Sequence, residues 1–340
     1  MSRQTVLLIF GGESSEHDVS IVSARNVYAA MDNTKYDVQL CYIDKIGKWW
    51  LLDAWKENPQ AHAGVQLAAV PGARSFVTIP GDKIIHPAVI FAVVHGHGGE
   101  DGVIQGLADT MHIPIVGSDT IASAVCWDKV ITKQMLESYG IKTAPYKVHH
   151  LGEPVPHYEE LLSQLGSPLF VKPARSGSSI GVSKVESAEE LNAAVTLAHE
   201  HSNAILIEQA LLGRELEVSV LGNPPHHKVS KVGQIIPGEE FYTYDDKYAA
   251  DSNAAVVLNP NLNPDFEERV RSIAHRAYEV LGCRGLARID FLTDKDDNIY
   301  VNEFNTMPGF TNISMYPKLW HEAGVKYPEL IDDLIKLAFE

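Results

Sequence analysis

Ala287-Arg-Ile-Asp-Phe-Leu-Thr-Asp-Lys-Asp-Asp-Asn-Ile-Tyr-Val-Asn-Glu-Phe-Asn305 reads as two short strands around a polar turn. Arg288 to Leu292 alternate polar and apolar, the period of a half-buried strand. Lys295, Asp296, Asp297 and Asn298 supply turn chemistry, and Ile299 to Phe304 resumes the apolar run. A turn centred between Asp296 and Asp297 sets Asp290 opposite Glu303 and Arg288 opposite Asn305, all four on one face. Two carboxylates and an amide oxygen on one face are ligands for a hard cation. Magnesium completes such a shell with phosphate and water, and an arginine beside it suits an oxyanion. Taken alone, solvated acids on an exposed sheet are an equally good reading. Thr306-Met-Pro-Gly309 turns straight off the second strand into a loop, where sites gather, and this favours the metal.

The 340 residues have room for two or three domains with cores of their own. A net charge of -16 argues against nucleic acid or an anionic membrane as principal partner, but not against ATP in a local basic pocket. Cys41, Cys126 and Cys283 are too few and too scattered for a disulfide framework or a zinc motif. The first residues show no signal peptide, and no apolar run is long enough to span a membrane. A cytoplasmic protein is expected.

Upstream of the hairpin, Thr5 to Phe10 is a buried strand, followed by the glycine turn Gly11-Gly12 and a helix over 17–31. Ser15 with Asp18 resembles a capping box. Glu16 is either compensation of the helix dipole or an anchor for an amine. The turn does not spell a dinucleotide fingerprint, which leaves a dinucleotide-dependent oxidoreductase without support. Trp49 and Trp50 belong to hairpin packing, and residues 53–84 read as a loop-rich insertion. Ala88 to Val94 is an apolar strand ending in His95-Gly-His-Gly-Gly-Glu-Asp-Gly102. A glycine-rich loop with His and acids at a strand's carboxyl end is how open α/β sheets present ligands. His95 is the candidate acid there and His97 a surface residue. A helix follows, and 114–117 is a short strand; the alternation implies a small doubly wound domain.

A long helix is expected over 123–139, its lysines on a solvated face. Leu169-Phe-Val-Lys-Pro173 is a strand with a lysine that needs a partner. It runs into Ala174-Arg-Ser-Gly-Ser-Ser-Ile-Gly181, a flap whose N–H groups could cradle phosphate. Glu208 ends another strand, and Glu215 and Glu217 share one strand face. Phe241 to Tyr248, dense in aromatics and charges, reads as a lid. Helices close 263–281 and 328–339. The histidine pairs 149–150 and 226–227 fall in polar connections.

These motifs together resemble the D-alanine–D-alanine ligase family of ATP-grasp enzymes. They are Lys129, Val171-Lys172-Pro173 with its flap, Glu208, Glu215, Arg288-Ile-Asp290, Asn302-Glu303-Phe-Asn305, the loops at 11–16 and 95–102, the lid and Pro308-Gly309-Phe310-Thr311. The resemblance covers almost the whole chain. It implies an α/β fold, α+β in its C-terminal part: a small doubly wound N-terminal domain over 1–123, a central ATP-grasp lobe over 124–215, and a C-terminal lobe with metal site and lid over 216–340. The activity implied is ATP-dependent ligation of two D-alanines through an acylphosphate, for peptidoglycan precursors, by a homodimer free of nucleic acid and membrane partners. Lys129, Lys172 and Lys247 would meet ATP phosphates; Glu208, Ala210, Leu211 and Glu215 would hold adenine and ribose. Asp290, Glu303 and Asn305 would bind two magnesium or manganese ions. Glu16 would anchor the ammonium of the first D-alanine, with Ser178 and Tyr248 beside it and His95 near its carboxylate. Arg288 and the Gly309 N–H would form an oxyanion hole, and Ser314 and Met315 would meet the second carboxylate. Relatives that make D-alanyl-D-lactate differ in the lid, so Tyr248 implies a dipeptide product.

Overall fold

The computed structural model describes residues 3–61, 64–236 and 255–340. Strand β1 (Gln4–Gly11) carries Val6, Leu7, Leu8, Ile9 and Phe10 in succession, all wholly buried. A run buried on both faces is the mark of a parallel central strand. β1 pairs in parallel with β2 (Tyr36–Ile43) and β7 (Val89–Val93), and helix α1 (His17–Ala30) makes the first crossover. The doubly wound core is therefore present, but the sheet has seven strands. β3 (Trp49–Leu52), β4 (Val65–Val70), β5 (Ser75–Ile79) and β6 (Ile84–Ile85) extend it antiparallel beyond β2. The loop-rich reading of 53–84 is thus corrected. Its Pro and Gly mark turns between short strands; Leu67 and Phe76 face inward, and Trp49 stacks on Phe76. The expected strand at 114–117 reduces to a single parallel bridge, Ile90 to Ile115.

Helix α2 (Val103–Met111) follows the glycine loop. The long helix expected over 123–139 is two helices, α3 (Thr120–Trp127) and α4 (Lys129–Ser138), broken at Asp128. The Asp128 carboxylate accepts the N–H groups of Val130 and Ile131, an N-cap that starts a new helix with Lys129 as its first residue. Nor does Ser15 cap α1: its N-cap is Glu16, whose side chain serves another partner.

Two further antiparallel sheets follow. The first has the order β10 (Ser183–Val185), β9 (Leu169–Pro173), β11 (Ala204–Gln209), β8 (Tyr146–His150). Helices α5 (Tyr158–Leu165) and α6 (Ala188–His199) cover the face that carries Leu169, Val171, Ile205 and Ile207. Alternation sends Lys172 and Glu208 to the opposite face. His149 and His150 lie in β8 rather than in a connection, and His149 is buried against His199.

The second of these sheets orders β15 (Ala255–Val257), β14 (Gly233–Ile236), β12 (Glu215–Leu221), β16 (Leu286–Thr293) and β17 (Ile299–Asn305), with β13 (Lys228–Val229) paired to β12. Leu216, Val218, Val220, Ile289 and Phe291 pack beneath α7 (Pro264–Val280). Glu217, Arg288 and Asp290 occupy alternate positions and face the other way. Helices α8 (Met315–Glu322) and α9 (Tyr327–Leu337) return to the first sheet, where Phe310, Tyr316, Leu330 and Leu334 share a core with Val6, Leu8, Phe10 and Val93. No helix among the described residues is long and apolar enough to cross a membrane.

Candidate active site

The hairpin of β16 and β17 has the register its alternation implies: Asp290 pairs with Glu303 and Arg288 with Asn305. One feature differs. The register shifts between Asp290 and Phe291, so Asn302 is an extra residue, and Asn302 and Glu303 follow each other without an intervening buried position. A bulge of this kind re-aims side chains. Arg288 donates from Nε and Nη2 to the two Asp290 oxygens at 2.7 and 2.6 Å, and its Nε lies 3.2 Å from Glu217 Oε2. Asn305 Nδ2 donates to Asp290 Oδ2 at 3.1 Å. Burial opposes the guanidinium charge, but Asp290 and Glu217 more than offset it and hold Arg288 protonated. Glu217, Asp290 and Glu303 thus set three carboxylates around one arginine, with Lys129 Nζ 3.7 Å from Glu303. Hard oxygen donors with excess negative charge fit magnesium or manganese.

A cavity of about 430 Å³ opens beside this face. Its wall includes Glu16, His95, Lys129, Ser178, Arg288, Glu303, Asn305, Gly309, Ser314 and Met315. Asp290 sits buried behind Arg288. Ser178 Oγ donates to Glu16 Oε1 at 2.5 Å, joining the flap to the start of α1. Glycine is needed on both sides of that carboxylate: a Cβ at Gly96 or Gly177 would lie 2.8 or 2.9 Å from Glu16 Oε2. His95 Nδ1 is 3.0 Å from the Met307 carbonyl, which can only accept, so Nδ1 carries a proton. His95 Nε2 is 3.0 Å from Ser23 Oγ.

Glu100, which the reading of the sequence passed over inside its own glycine loop, lies 3.8 Å from His95. Burial, reinforced by the charge of Glu16 and opposed by His95, pushes the Glu100 carboxyl up to about 7. Burial disfavours the charged form of His95, yet Glu100 more than offsets it and raises the imidazole. Ser314 is the N-cap of α8 and accepts the Thr311 N–H, so the α8 N-terminus faces the cavity through Ser314 and Met315.

A second cavity, about 610 Å³, lies between the two antiparallel sheets and is lined by Lys172, Glu208, Leu211 and Glu215. Ala210 is not in its wall; its N–H donates to the Pro168 carbonyl. Glu208 Oε2 is 2.5 Å from Lys172 Nζ and its Oε1 is 2.8 Å from Lys133 Nζ. Burial would raise the Glu208 carboxyl, but the two lysines hold it below the usual carboxylate range. Lys133 is only 1 % exposed, so its assignment to a solvated face is corrected: the helix break at Asp128 and the partner Glu208 turn it inward. The two cavities share Lys129, Ser176, Gly177, Ile235 and Glu303 in their walls. Lys129 Nζ donates to the Ser176 carbonyl at 2.6 Å. Ser178 and Ser179 hold left-handed backbone, φ 50° and 58°, unusual for side-chain-bearing residues. The lid from Phe241 to Tyr248, with Lys247 and Tyr248, lies outside the described residues.

Comparisons with known proteins agree on one family. The family model described as "D-ala D-ala ligase N-terminus" matches residues 5–118, and that described as "D-ala D-ala ligase C-terminus" matches residues 135–336. The chain is 42% identical to D-alanine–D-alanine ligase A of Salmonella typhimurium and to that of Escherichia coli K12, over 100% of this chain and 97% of each relative. Among solved structures, a D-alanine–D-alanine ligase from Coxiella burnetii superposes with a TM-score of 0.89 at 31% identity, covering 99% of this chain and 94% of that one. The VanG D-Ala:D-Ser ligase from Enterococcus faecalis gives 0.90 at 31% identity, covering 99% and 100%. With both halves matched and the two antiparallel sheets enclosing one of the cavities, the chain belongs to the D-alanine–D-alanine ligase family and has its ATP-grasp fold.

Proposed function

We propose that the protein joins two D-alanines into D-alanyl-D-alanine with ATP, through an acylphosphate, as a supplier of peptidoglycan precursors. The observation that carries this is the meeting of two cavities at Lys129 and Glu303. The larger, between the sheets, suits a nucleotide; the smaller, with Glu16 at one end and the α8 N-terminus at the other, suits two small zwitterions.

Glu16 pairs with the ammonium of the first D-alanine, and Ser178 fixes the orientation of that carboxylate. The first carboxylate attacks the γ-phosphorus at the junction, the bond to the β,γ-bridging oxygen breaks, and ADP leaves as the acylphosphate forms, with Lys129 and Lys172 offsetting charge on the transferring group. Asp290, Glu303 and Asn305 would hold two magnesium or manganese ions, which when bound supply charge neutralisation along the triphosphate. The second amine then attacks the acyl carbon. Arg288 and the Gly309 N–H stabilise the tetrahedral oxyanion, which collapses with expulsion of phosphate. The α8 N-terminus, at Ser314 and Met315, orients the second carboxylate. Leu211 and Glu215 contact adenine and ribose. Lys247 and Tyr248 act from the lid, and the working unit is a homodimer.

Phosphate release from ATP that requires D-alanine, and that L-alanine does not support, tests the reading. Running the same assay with D-serine or D-lactate as second substrate separates a dipeptide ligase from its variants. ATP turnover indifferent to every D-amino acid would overturn it.

A further inference from the structure

Away from both cavities, His227, His275 and Glu279 each bring one ligand atom to within 4.8 Å of the others. His227 ends the turn between β12 and β13, and His275 and Glu279 stand four residues apart on one face of α7. The rings of His227 and His275 lie 4.0 Å apart, centroid to centroid. His227 is only 6 % exposed, and neither of its ring nitrogens has a hydrogen-bond partner among the described residues. Buried polar groups left so are uncommon and call for a partner. The turn is also fixed in place. Tyr278 donates its hydroxyl proton to the Gly222 carbonyl at 3.0 Å, and Asn223 bridges to the Gly285 N–H and the Leu337 carbonyl.

We propose that His227, His275 and Glu279 form a binding site for a borderline divalent transition ion of the zinc class, with its open coordination position on the exposed side of α7. Two imidazoles and a carboxylate select zinc, nickel or copper over magnesium. That separates this site from the all-oxygen face at Asp290. The bound ion ties the β12–β13 turn to α7 and so braces β12, the strand that carries Glu217. Because the three residues converge only in the folded chain, binding stabilises the fold.

The test uses the full chain, stripped with chelator and held in saturating magnesium so that the oxygen ligands are occupied. Copper(II) is added alone and read by its electron paramagnetic resonance; zinc alone is read by calorimetry and thermal melting. The expected result is one nitrogen-ligated ion per chain and a rise in Tm with zinc. His275→Ala, at a half-exposed position, weakens binding by about tenfold or more and removes the Tm rise, with magnesium-dependent ligation unchanged. His227→Gln does the same. The other close histidine pair, His149 and His199, is the internal competitor. A nitrogen signal that survives His275→Ala, or that disappears in His149→Gln, overturns the assignment.

Discussion

Ser178 Oγ lies 2.5 Å from Glu16 Oε1, a contact between residues 162 positions apart that ties the flap after β9 to the N-terminus of α1. The flap therefore closes one end of the amino-acid cavity while its neighbours Ser176 and Gly177 line the nucleotide cavity. Removing the hydroxyl disturbs Glu16, the carboxylate proposed to meet the substrate ammonium. Ser178→Ala is expected to lower kcat/KM for D-alanine by about tenfold, the scale of one charge-assisted hydrogen bond. ATP binding, followed by a nucleotide titration, stays close to wild type. Equal losses for both substrates would mean that the flap as a whole has moved instead.

Glu208 carries the second expectation. It is buried between Lys133 and Lys172, so Glu208→Gln leaves two buried ammonium groups short of a counter-charge. Breaking a buried pair of this kind costs about 3–5 kcal/mol. The carboxyl is held below its ordinary 4.5, so the stability it contributes is present above that pH and is lost as pH falls through the lower folded value. The Tm gap between wild type and Glu208→Gln is expected to be widest at neutral pH and to shrink on acidification. A gap that does not change with pH would show that the two lysines do not hold Glu208 ionised.

The shared face of Arg288, Asp290, Glu303 and Asn305 was legible in the sequence because strand alternation survives in those four residues. Asn302 was not legible in the same way. Simple alternation sets it on the opposite side from Glu303, and only the bulge brings it to Lys172 Nζ, 3.3 Å away. Lys133 and Asp128 were misread for a related reason: helical periodicity runs through both, and the cap at Asp128 depends on local backbone that spacing does not encode. Strands β4 and β5 were hidden by composition, since Pro71 and Gly72 between them weigh as much in a count as the residues that pair. What pattern cannot supply is long-range partnership, such as Glu208 with Lys133 or Ser178 with Glu16.

Glu303 stands in the walls of both cavities and 3.7 Å from Lys129. It is half-buried at the rim of the sheet, so Glu303→Ala removes the proposed cation ligand without opening the core. Ligation is expected to be abolished while the circular dichroism spectrum and Tm stay near wild type. Stripping the protein with chelator is expected to stop turnover as well, with recovery on adding magnesium or manganese. Full activity of Glu303→Ala would refute the metal assignment.

The His95–Glu100 pair yields the last expectation. Glu100 is raised to about 7 by burial, and His95 is raised chiefly through Glu100. A carboxyl raised on folding binds its proton more tightly in the native state than in the unfolded chain. Its contribution to stability is therefore complete below the ordinary 4.5 and falls away as pH rises toward 7. Protonation of His95 has the same sign, complete below 6.5 and lost as pH climbs through its raised value. Glu100→Gln keeps the shape and removes one titrating group along with the support for the imidazolium. Its Tm is expected to vary less than wild type as pH rises from the ordinary 4.5 through about 7, the window in which the Glu100 contribution is lost. The His95 ring resonances in that variant are expected to titrate at lower pH. Because His95 and Glu100 both line the amino-acid cavity, kcat/KM for D-alanine in wild type is expected to show an inflection in the same range that shifts in Glu100→Gln. An unshifted His95 titration in Glu100→Gln would show that the 3.8 Å separation carries no coupling.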